Sequence, residues 1–412
     1  MRQPRFTTWL MTSHMQLTPG SFFKHQIMKT YQPVTIDEVT IAYETLIRKA
    51  RVRMRVPAGF RHMPSMDDPA VVSLLPVGCD GMTTIQVERS EAAKERFFRE
   101  IVRMFNEEDR QTGLPKFRLK RFSIQERKEK RGEEEKIRTT VLLCLRDQVA
   151  MRVLLNRLTQ AGIVEGNWSD MYAQVAAIRA DLRSRKGSPV VIKTDISEFH
   201  PSVDRARLIE LLQTHVGDRF DERIMQLLHH AISGHSSADK VRGLPLGLSI
   251  SVILAEFYAQ QMALPALVPG VSVYRYADDI VFIADEGTDA AMILSSFDRR
   301  LSAFGLRRNE GKTKVVADGV FDYLGVAFNG TNLSVKESGL KRWSTSVWAE
   351  VGKDIESHRI LAALHPDRPI PDRQEIIRNT FKEYKRGGRS SYWKFARRVQ
   401  ALNQPVSDPQ AA

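Results

Sequence analysis

Apolar positions recur along the chain with two distinct periods, and their alternation predicts an α+β fold. Ala92, Phe97, Ile101 and Phe105 fall at helical spacing between Ser90 and Phe105. Asp147 to Leu158 predicts a second helix, with Val149, Val153 and Leu154 on one face, and residues 169–185 a third that stops before Gly187-Ser188-Pro189. The run Val190-Val191-Ile192-Lys193-Thr194-Asp195-Ile196 predicts a buried strand ending in a carboxylate. Leu208, Leu211 and Leu212 mark a helix that Gly217 stops, and the turn Gly243-Leu244-Pro245-Leu246-Gly247 feeds a long helix through Leu254, Phe257 and Tyr258.

Two strands, Val271–Arg275 and Ile280–Ile283, flank Tyr276-Ala277-Asp278-Asp279 and predict a hairpin. Thr288 is the expected cap of a helix whose apolar face is Leu294, Phe297, Leu301 and Phe304, with Gly305 at its end. A strand at Thr313–Val316 and the stretch Phe321–Val326 follow. Upstream, Phe117–Lys120 and Ile137–Leu143 read as strands joined by Glu126 to Lys136, a charged hairpin tip or loop. From about residue 336 the chain reads as helical and basic. Residues 373–398 hold nine Lys/Arg against two Glu, interleaved with Phe381, Tyr384, Tyr392, Trp393 and Phe395.

The length of 412 residues leaves room for two to three compact units, and a hydrophobic share of 42% marks a folded chain. The formal net charge of +13 favours a polyanionic partner, although a basic surface also occurs without one. Cys79 and Cys144 form no disulfide framework and no metal cluster, and read as reduced thiols in a cytoplasmic protein. No apolar run reaches membrane-spanning length, and Met1–Phe6 lacks the apolar segment of a secretory signal. The first 90 residues carry no readable motif.

Neighbouring residues of a strand point to opposite faces, so Asp278-Asp279 between two strand-formers places carboxylates at a hairpin tip. Taken alone, the pair suits a metal site or a plain polar turn. Asp195 ends another apolar strand; if both strands share a sheet, three carboxylates meet at its edge. Like charges at close range raise one another's pKa, and divalent cations relieve that repulsion. Two such ions about 3.5–4 Å apart activate an in-line attack on phosphate.

The motifs in order resemble those of reverse transcriptases, over most of residues 117–328. Lys193-Thr194-Asp195-Ile196-Ser197-Glu198-Phe199-His200-Pro201-Ser202-Val203 resembles the first palm motif of that family, and residues 243–251 the second. Tyr276-Ala277-Asp278-Asp279 matches the third, Gly305–Lys314 resembles the fourth with Lys312 at the family's lysine, and Phe321–Gly325 resembles the primer grip. Lys136-Ile137-Arg138 followed by Arg146-Asp147-Gln148-Val149 has the spacing of the bacterial fingers motif. The resemblance implies a right-hand polymerase fold, α+β, with fingers and a ferredoxin-like palm over residues 91–335. It also implies a helical, basic, thumb-like region over 336–412, after an N-terminal extension (1–90) of unknown role.

The family pattern implies that Asp195, Asp278 and Asp279, with the Ile196 main chain, hold two Mg²⁺ ions, Mn²⁺ being an alternative. It implies that Arg138 and Lys136 clamp the triphosphate and that Ile196, His200, Leu246 and Gly247 line the nucleotide pocket. Lys312 would be the general acid, and Tyr323, Leu324 and Gly325 would support the primer end. Implied partners are an RNA template, dNTPs and the DNA product, with a partner protein or a second copy as further candidates and no membrane.

Three positions depart from the pattern. His200 stands where relatives carry Phe or Tyr against a ribose 2′-hydroxyl, and Leu246 and Val252 replace Gln and Pro. Gly-Leu-Ser-Ile-Ser followed by Leu-Ala-Glu looks more like the abortive-infection and defence-associated bacterial enzymes, which implies a dedicated non-coding RNA template in antiviral defence. Other readings are a retron-like or mobile-element enzyme, untemplated synthesis primed on a protein hydroxyl, and an inactive RNA-binding scaffold.

Overall fold

The computed structural model describes residues 32–53, 87, 90–108, 122–131, 134–166, 170–217, 220, 222–233, 242–316, 319–364, 371–386 and 391–403. In chain order these form α1 (Ile36–Arg53), α2 (Glu91–Asn106), β1 (Phe122–Arg131), β2 (Glu134–Leu143), α3 (Leu145–Gln160), α4 (Met171–Ser184) and β3 (Val190–Asp195). The short α5 (Phe199–Ser202) leads into α6 (Arg205–Val216), α7 (Glu222–Ser233), α8 (Ser251–Gln260), β4 (Ser272–Tyr276), β5 (Asp279–Ala284) and α9 (Ala290–Ala303). Then come β6 (Lys314–Val316), β7 (Val320–Tyr323), β8 (Val326–Asn329), β9 (Asn332–Val335), α10 (Glu337–Leu364), α11 (Arg373–Arg386) and α12 (Ser391–Leu402).

The central sheet has strand order β4-β5-β3-β6, with every neighbouring pair antiparallel. Its chain order, one strand, helices, a hairpin, a helix and a last strand, gives the split β-α-β-β-α-β arrangement of ferredoxin-like folds. Alternation assigns its faces. Ile192, Ile280 and Phe282 point into a core shared with α6–α9, where Phe297 meets Phe282 edge to face at 5.2 Å. Val191, Val281 and Ile283 point the other way, into a second core. That core also contains Val175 and Ile178 of α4, Tyr323 and Phe328 of the β7-β8-β9 sheet, and Phe395 and Val399 of α12. Each face is therefore covered, by different parts of the chain.

α1 lies within the stretch whose sequence carries no motif. It packs on α2 and α3, and Val39 and Tyr43 join the larger core. Arg157 of α3 donates to both carboxylate oxygens of Glu38, at 2.8 and 3.0 Å. Burial alone would raise the Glu38 pKa, yet the bonds from Arg157 and Thr35 prevail and hold it below the ordinary value.

Several local expectations change. The strand expected at 117–120 lies outside the described residues, as does Cys79. The charged run from Glu126 to Lys136 is mostly strand: β1 and β2 pair from Phe122↔Leu143 to Arg131↔Glu134. Belonging to a two-stranded sheet of their own, they need not show the alternation that a core-covering strand must. The cap of α9 is Asp289, whose carboxylate accepts from the Ala291 amide at 2.8 Å, rather than Thr288. Thr288 sits in the preceding turn, its amide donating to the Asp285 carbonyl. Of the C-terminal aromatics, Phe395 is core and Phe381 sits edge-on to Trp348 at 5.3 Å. The side chains of Tyr384, Tyr392 and Trp393 lie outside the described residues.

Candidate active site

β3 and β5 lie in a register that makes Asp195 and Asp279 direct antiparallel partners. Both occupy the end of the face that carries Val191 and Val281, so strand period alone turns their side chains the same way. The β4–β5 hairpin closes with Tyr276 opposite Asp279, leaving Ala277 and Asp278 as a two-residue turn. Ala277 has φ +54°. A residue with a Cβ loses about 1–2 kcal/mol in that conformation. The turn is stitched to its neighbours: the Ile196 amide donates to the Asp278 carbonyl at 3.1 Å, and the Tyr323 hydroxyl to the Asp279 carbonyl at 3.3 Å.

Asp195 is 5% exposed. Its Oδ2 accepts from the Lys312 ammonium, while its buried Oδ1 has no hydrogen-bond partner among the described residues. Burial, followed by the Asp278 charge, pushes the Asp279 pKa up; Lys193 and Lys312 oppose this and Asp195 adds to it. An orphaned buried carboxylate oxygen beside two more carboxylates is a donor set suited to a hard divalent cation. As arranged, no three acidic, His or Cys side chains among the described residues enclose a single point. Among the described residues the cationic group bonded to Asp195 is the side chain of Lys312, itself 53% exposed.

Lys312 ends a single 3₁₀ turn, Glu310–Lys312. Arg308 fixes that loop by donating to both oxygens of Asp298, at 2.9 and 3.0 Å, and to the Thr313 hydroxyl at 3.0 Å. The Thr313 hydroxyl in turn lies 2.8 Å from that of Thr194, next to Asp195.

On the other side of the acidic edge, Leu246 bridges to Thr140, and its carbonyl accepts from the Val141 amide at 2.7 Å. Gly247 has φ +101°, and a Cβ there would lie 2.2 Å from the Val141 carbonyl. Only glycine lets β2 approach this closely. The main chain of Arg138 stands two residues from that bridge, opposite Arg127, and Lys136 is opposite Glu129; the side chains of both lie outside the described residues. His200 is half-buried, its ring 5.6 Å from that of Phe199 and its carbonyl accepting from the Leu244 amide. Tyr323 is buried, and Leu324 (φ +50°) and Gly325 (φ +80°) form the two-residue turn between β7 and β8.

The fold thus brings Asp195, Asp278, Asp279, Lys312 and Tyr323 together. Sequence reading missed Lys193, Asp322, Glu256 and Arg275. Asp322 accepts from Lys193 and Lys336, both at 3.0 Å. Burial works to raise its pKa, but those bonds prevail and hold the carboxyl below its usual range. Arg275 alternates with Tyr274 and Tyr276, which puts a charge on the helix-covered face; a charge there signals a buried partner.

Residues 127–328 match the family described as Reverse transcriptase (RNA-dependent DNA polymerase). That match makes the central domain one of an RNA-directed DNA polymerase, a nucleotidyltransferase, and its architecture the right-hand polymerase fold. No curated protein matches the chain. Similar solved structures include telomerase from Candida albicans with a fragment of telomeric RNA, 14% identical over 45% of this chain and 37% of that one, TM-score 0.35. Apo telomerase from Candida tropicalis lacking its C-terminal domain is 14% identical over 52% and 55%, TM-score 0.38. The same organism's telomerase with telomeric RNA is 14% identical over 66% and 54%, TM-score 0.40. The chain spans between 37% and 55% of the length of these telomerases.

Proposed function

Because residues 127–328 form a reverse transcriptase domain, we propose that the whole chain copies RNA into DNA, joining dNTPs to a 3′-hydroxyl at the Asp195–Asp278–Asp279 edge. The observation that carries this reading is the register of Asp195 on Asp279, with Asp278 in the adjoining strained turn. Asp195, Asp278, Asp279 and the Ile196 carbonyl would hold two divalent ions, Mg²⁺ or Mn²⁺. Those ions would supply an activated 3′-hydroxyl and a stabilised pyrophosphate leaving group.

The chain's own residues do the rest. Arg138 and Lys136, carried by the strand that meets Leu246, bind the triphosphate through charge-assisted bonds. Leu246 and Gly247 form a wall of the nucleotide pocket, and His200 crowds the sugar. Lys312 holds Asp195 until substrate arrives, then delivers a proton to the departing pyrophosphate. Tyr323 holds the Asp279 main chain while Leu324 and Gly325 support the primer end.

For the biological task we favour copying a dedicated non-coding RNA in bacterial antiviral defence, supported by Gly-Leu-Ser-Ile-Ser with Leu-Ala-Glu after it. The test of catalysis is the Asp278→Ala, Asp279→Ala double variant. DNA synthesis disappears while RNA binding persists; synthesis at the wild-type rate refutes the assignment. Sequencing nucleic acid that co-purifies with the protein identifies template, product and any covalent primer. A retron-like structured RNA joined to DNA, or an untemplated product on a protein hydroxyl, would replace the defence-template reading.

A further inference from the structure

Beneath the acidic turn, on the helix-covered face of the sheet, lies a part-buried ion pair to which the reaction assigns no role. Glu256 of α8 is 3% exposed. Both of its carboxylate oxygens accept from Arg275 of β4, Nη1 reaching Oε2 at 2.9 Å and Nη2 reaching Oε1. The Arg275 side chain is itself only 14% exposed. Arg275 Nη1 also donates to the Ala277 carbonyl at 3.0 Å. That carbonyl belongs to the positive-φ residue of the turn, and its peptide bond leads directly into Asp278. Gln260, one helical turn beyond Glu256, donates to Glu256 Oε1 at 3.1 Å and to the Glu165 carbonyl at 3.0 Å, while its own amide oxygen takes the Glu165 N–H. A continuous chain of bonds therefore runs from the loop after α3, through α8, to the turn that presents Asp278.

A buried carboxylate paired with a largely covered guanidinium is a costly way to hold a helix against a strand. A well-packed apolar pair often stabilises a fold as well or better. What an apolar pair cannot do is bond the Ala277 carbonyl. We propose that Arg275, held by Glu256, is a positioning residue of the polymerase: it locks the strained Ala277–Asp278 turn so that Asp278 is presented beside the Asp195–Asp279 pair. The other end of α8 follows the Leu246–Gly247 turn, and its first residue, Ser251, donates from its hydroxyl to the Pro245 carbonyl at 2.6 Å. One short helix thereby ties the proposed nucleotide pocket to the acidic turn. This inference rests on the proposed polymerase reading.

The test uses the full chain as wild type, Arg275→Lys, Arg275→Met and the apolar double variant Glu256→Leu, Arg275→Met. Three measurements are made on each: thermal midpoint, hydrogen exchange of peptides spanning 272–284, and single-nucleotide extension of a primer on RNA. In the double variant the thermal midpoint returns to the wild-type value or above. The turn amides nonetheless exchange faster, and kcat falls about 10–100-fold while the dNTP KM stays within about threefold. Arg275→Lys, which keeps one donor, lies between. If the double variant recovers midpoint, exchange protection and kcat together, the pair is a structural strut and the proposal falls. Unchanged exchange in Arg275→Met overturns it as well. If faster exchange occurs in a protein whose wild type incorporates no nucleotide, the lock on the turn stands and the polymerase reading fails.

Discussion

The two ends of the central sheet are built from the same strands and meet opposite electrostatic fates. At the end remote from the carboxylates, Arg185 donates from all three guanidinium nitrogens. It reaches Asp181 (3.0 Å), Asp285 (3.0 Å), the Ser272 hydroxyl (2.8 Å) and the carbonyls of Gly270 (3.0 Å) and Ile283 (3.3 Å). At the acidic end Asp279 stands opposite Asp195 and next to Asp278, a turn residue sits at positive φ, and a buried oxygen of Asp195 lacks a partner among the described residues. One end spends its charges on holding the chain together. The other keeps an electrostatic demand open, and stability alone would have removed it.

Substitutions at the two ends should therefore have opposite signatures. Asp279→Asn is expected to lower nucleotide incorporation by about 10³-fold. Removing one of three like charges should also raise the metal-free thermal midpoint by about 1–3 °C. Extension assays beside calorimetry in chelator check both, and a fall in midpoint would break the contrast. Arg185→Met should do the reverse, with about 3 kcal/mol of stability lost in denaturant unfolding and near wild-type kcat in the folded fraction. Gly247→Ala probes the contact between β2 and the turn that precedes α8. Its methyl would displace β2 from the pocket, and we expect the dNTP KM to rise about tenfold with a smaller change in kcat.

His200→Phe tests the sugar side. Preference for deoxynucleotides should sharpen several-fold in competition assays, and an unchanged ribo-to-deoxy ratio would sink the role given to His200. The smallest effect belongs to Asp322. Its folded-state pKa is held below the ordinary 3.8, so its bonds to Lys193 and Lys336 contribute above that value and are lost as pH falls through the folded one. The difference in thermal midpoint between wild type and Asp322→Asn should be present at neutral pH and vanish in strong acid.

The acidic end was legible in the sequence because its signals are local. Val190–Asp195 and the hairpin around Ala277-Asp278 combine apolar runs with charges at fixed offsets, and the strands appear within a residue of their predicted bounds. What escaped was set by partners distant in the chain. Nothing near Arg275 shows that Glu256 awaits it, and nothing near Phe395 shows that its ring belongs to a core with Tyr323. Local competition misled as well. Thr288 and Asp289 both have capping side chains, and only backbone geometry selects the second. In β1 and β2 the charges hid strands because a two-stranded ribbon carries no obligatory apolar stripe.

The second core also fixes an order of events during synthesis. The helix-covered face of the sheet needs only residues up to Leu306, whereas the opposite face is sealed by Phe395 and Val399. The Asn403 amide then clasps the main chain of Leu333, accepting from its N–H at 3.0 Å and donating to its carbonyl at 2.6 Å. A chain emerging from the ribosome therefore carries its carboxylates on a sheet whose second face is covered by α4 and the β7-β8-β9 sheet but left incomplete until α12 arrives. Shortening the protein by its last 22 residues, 391–412, would leave every motif in place and yet remove the surface that steadies them.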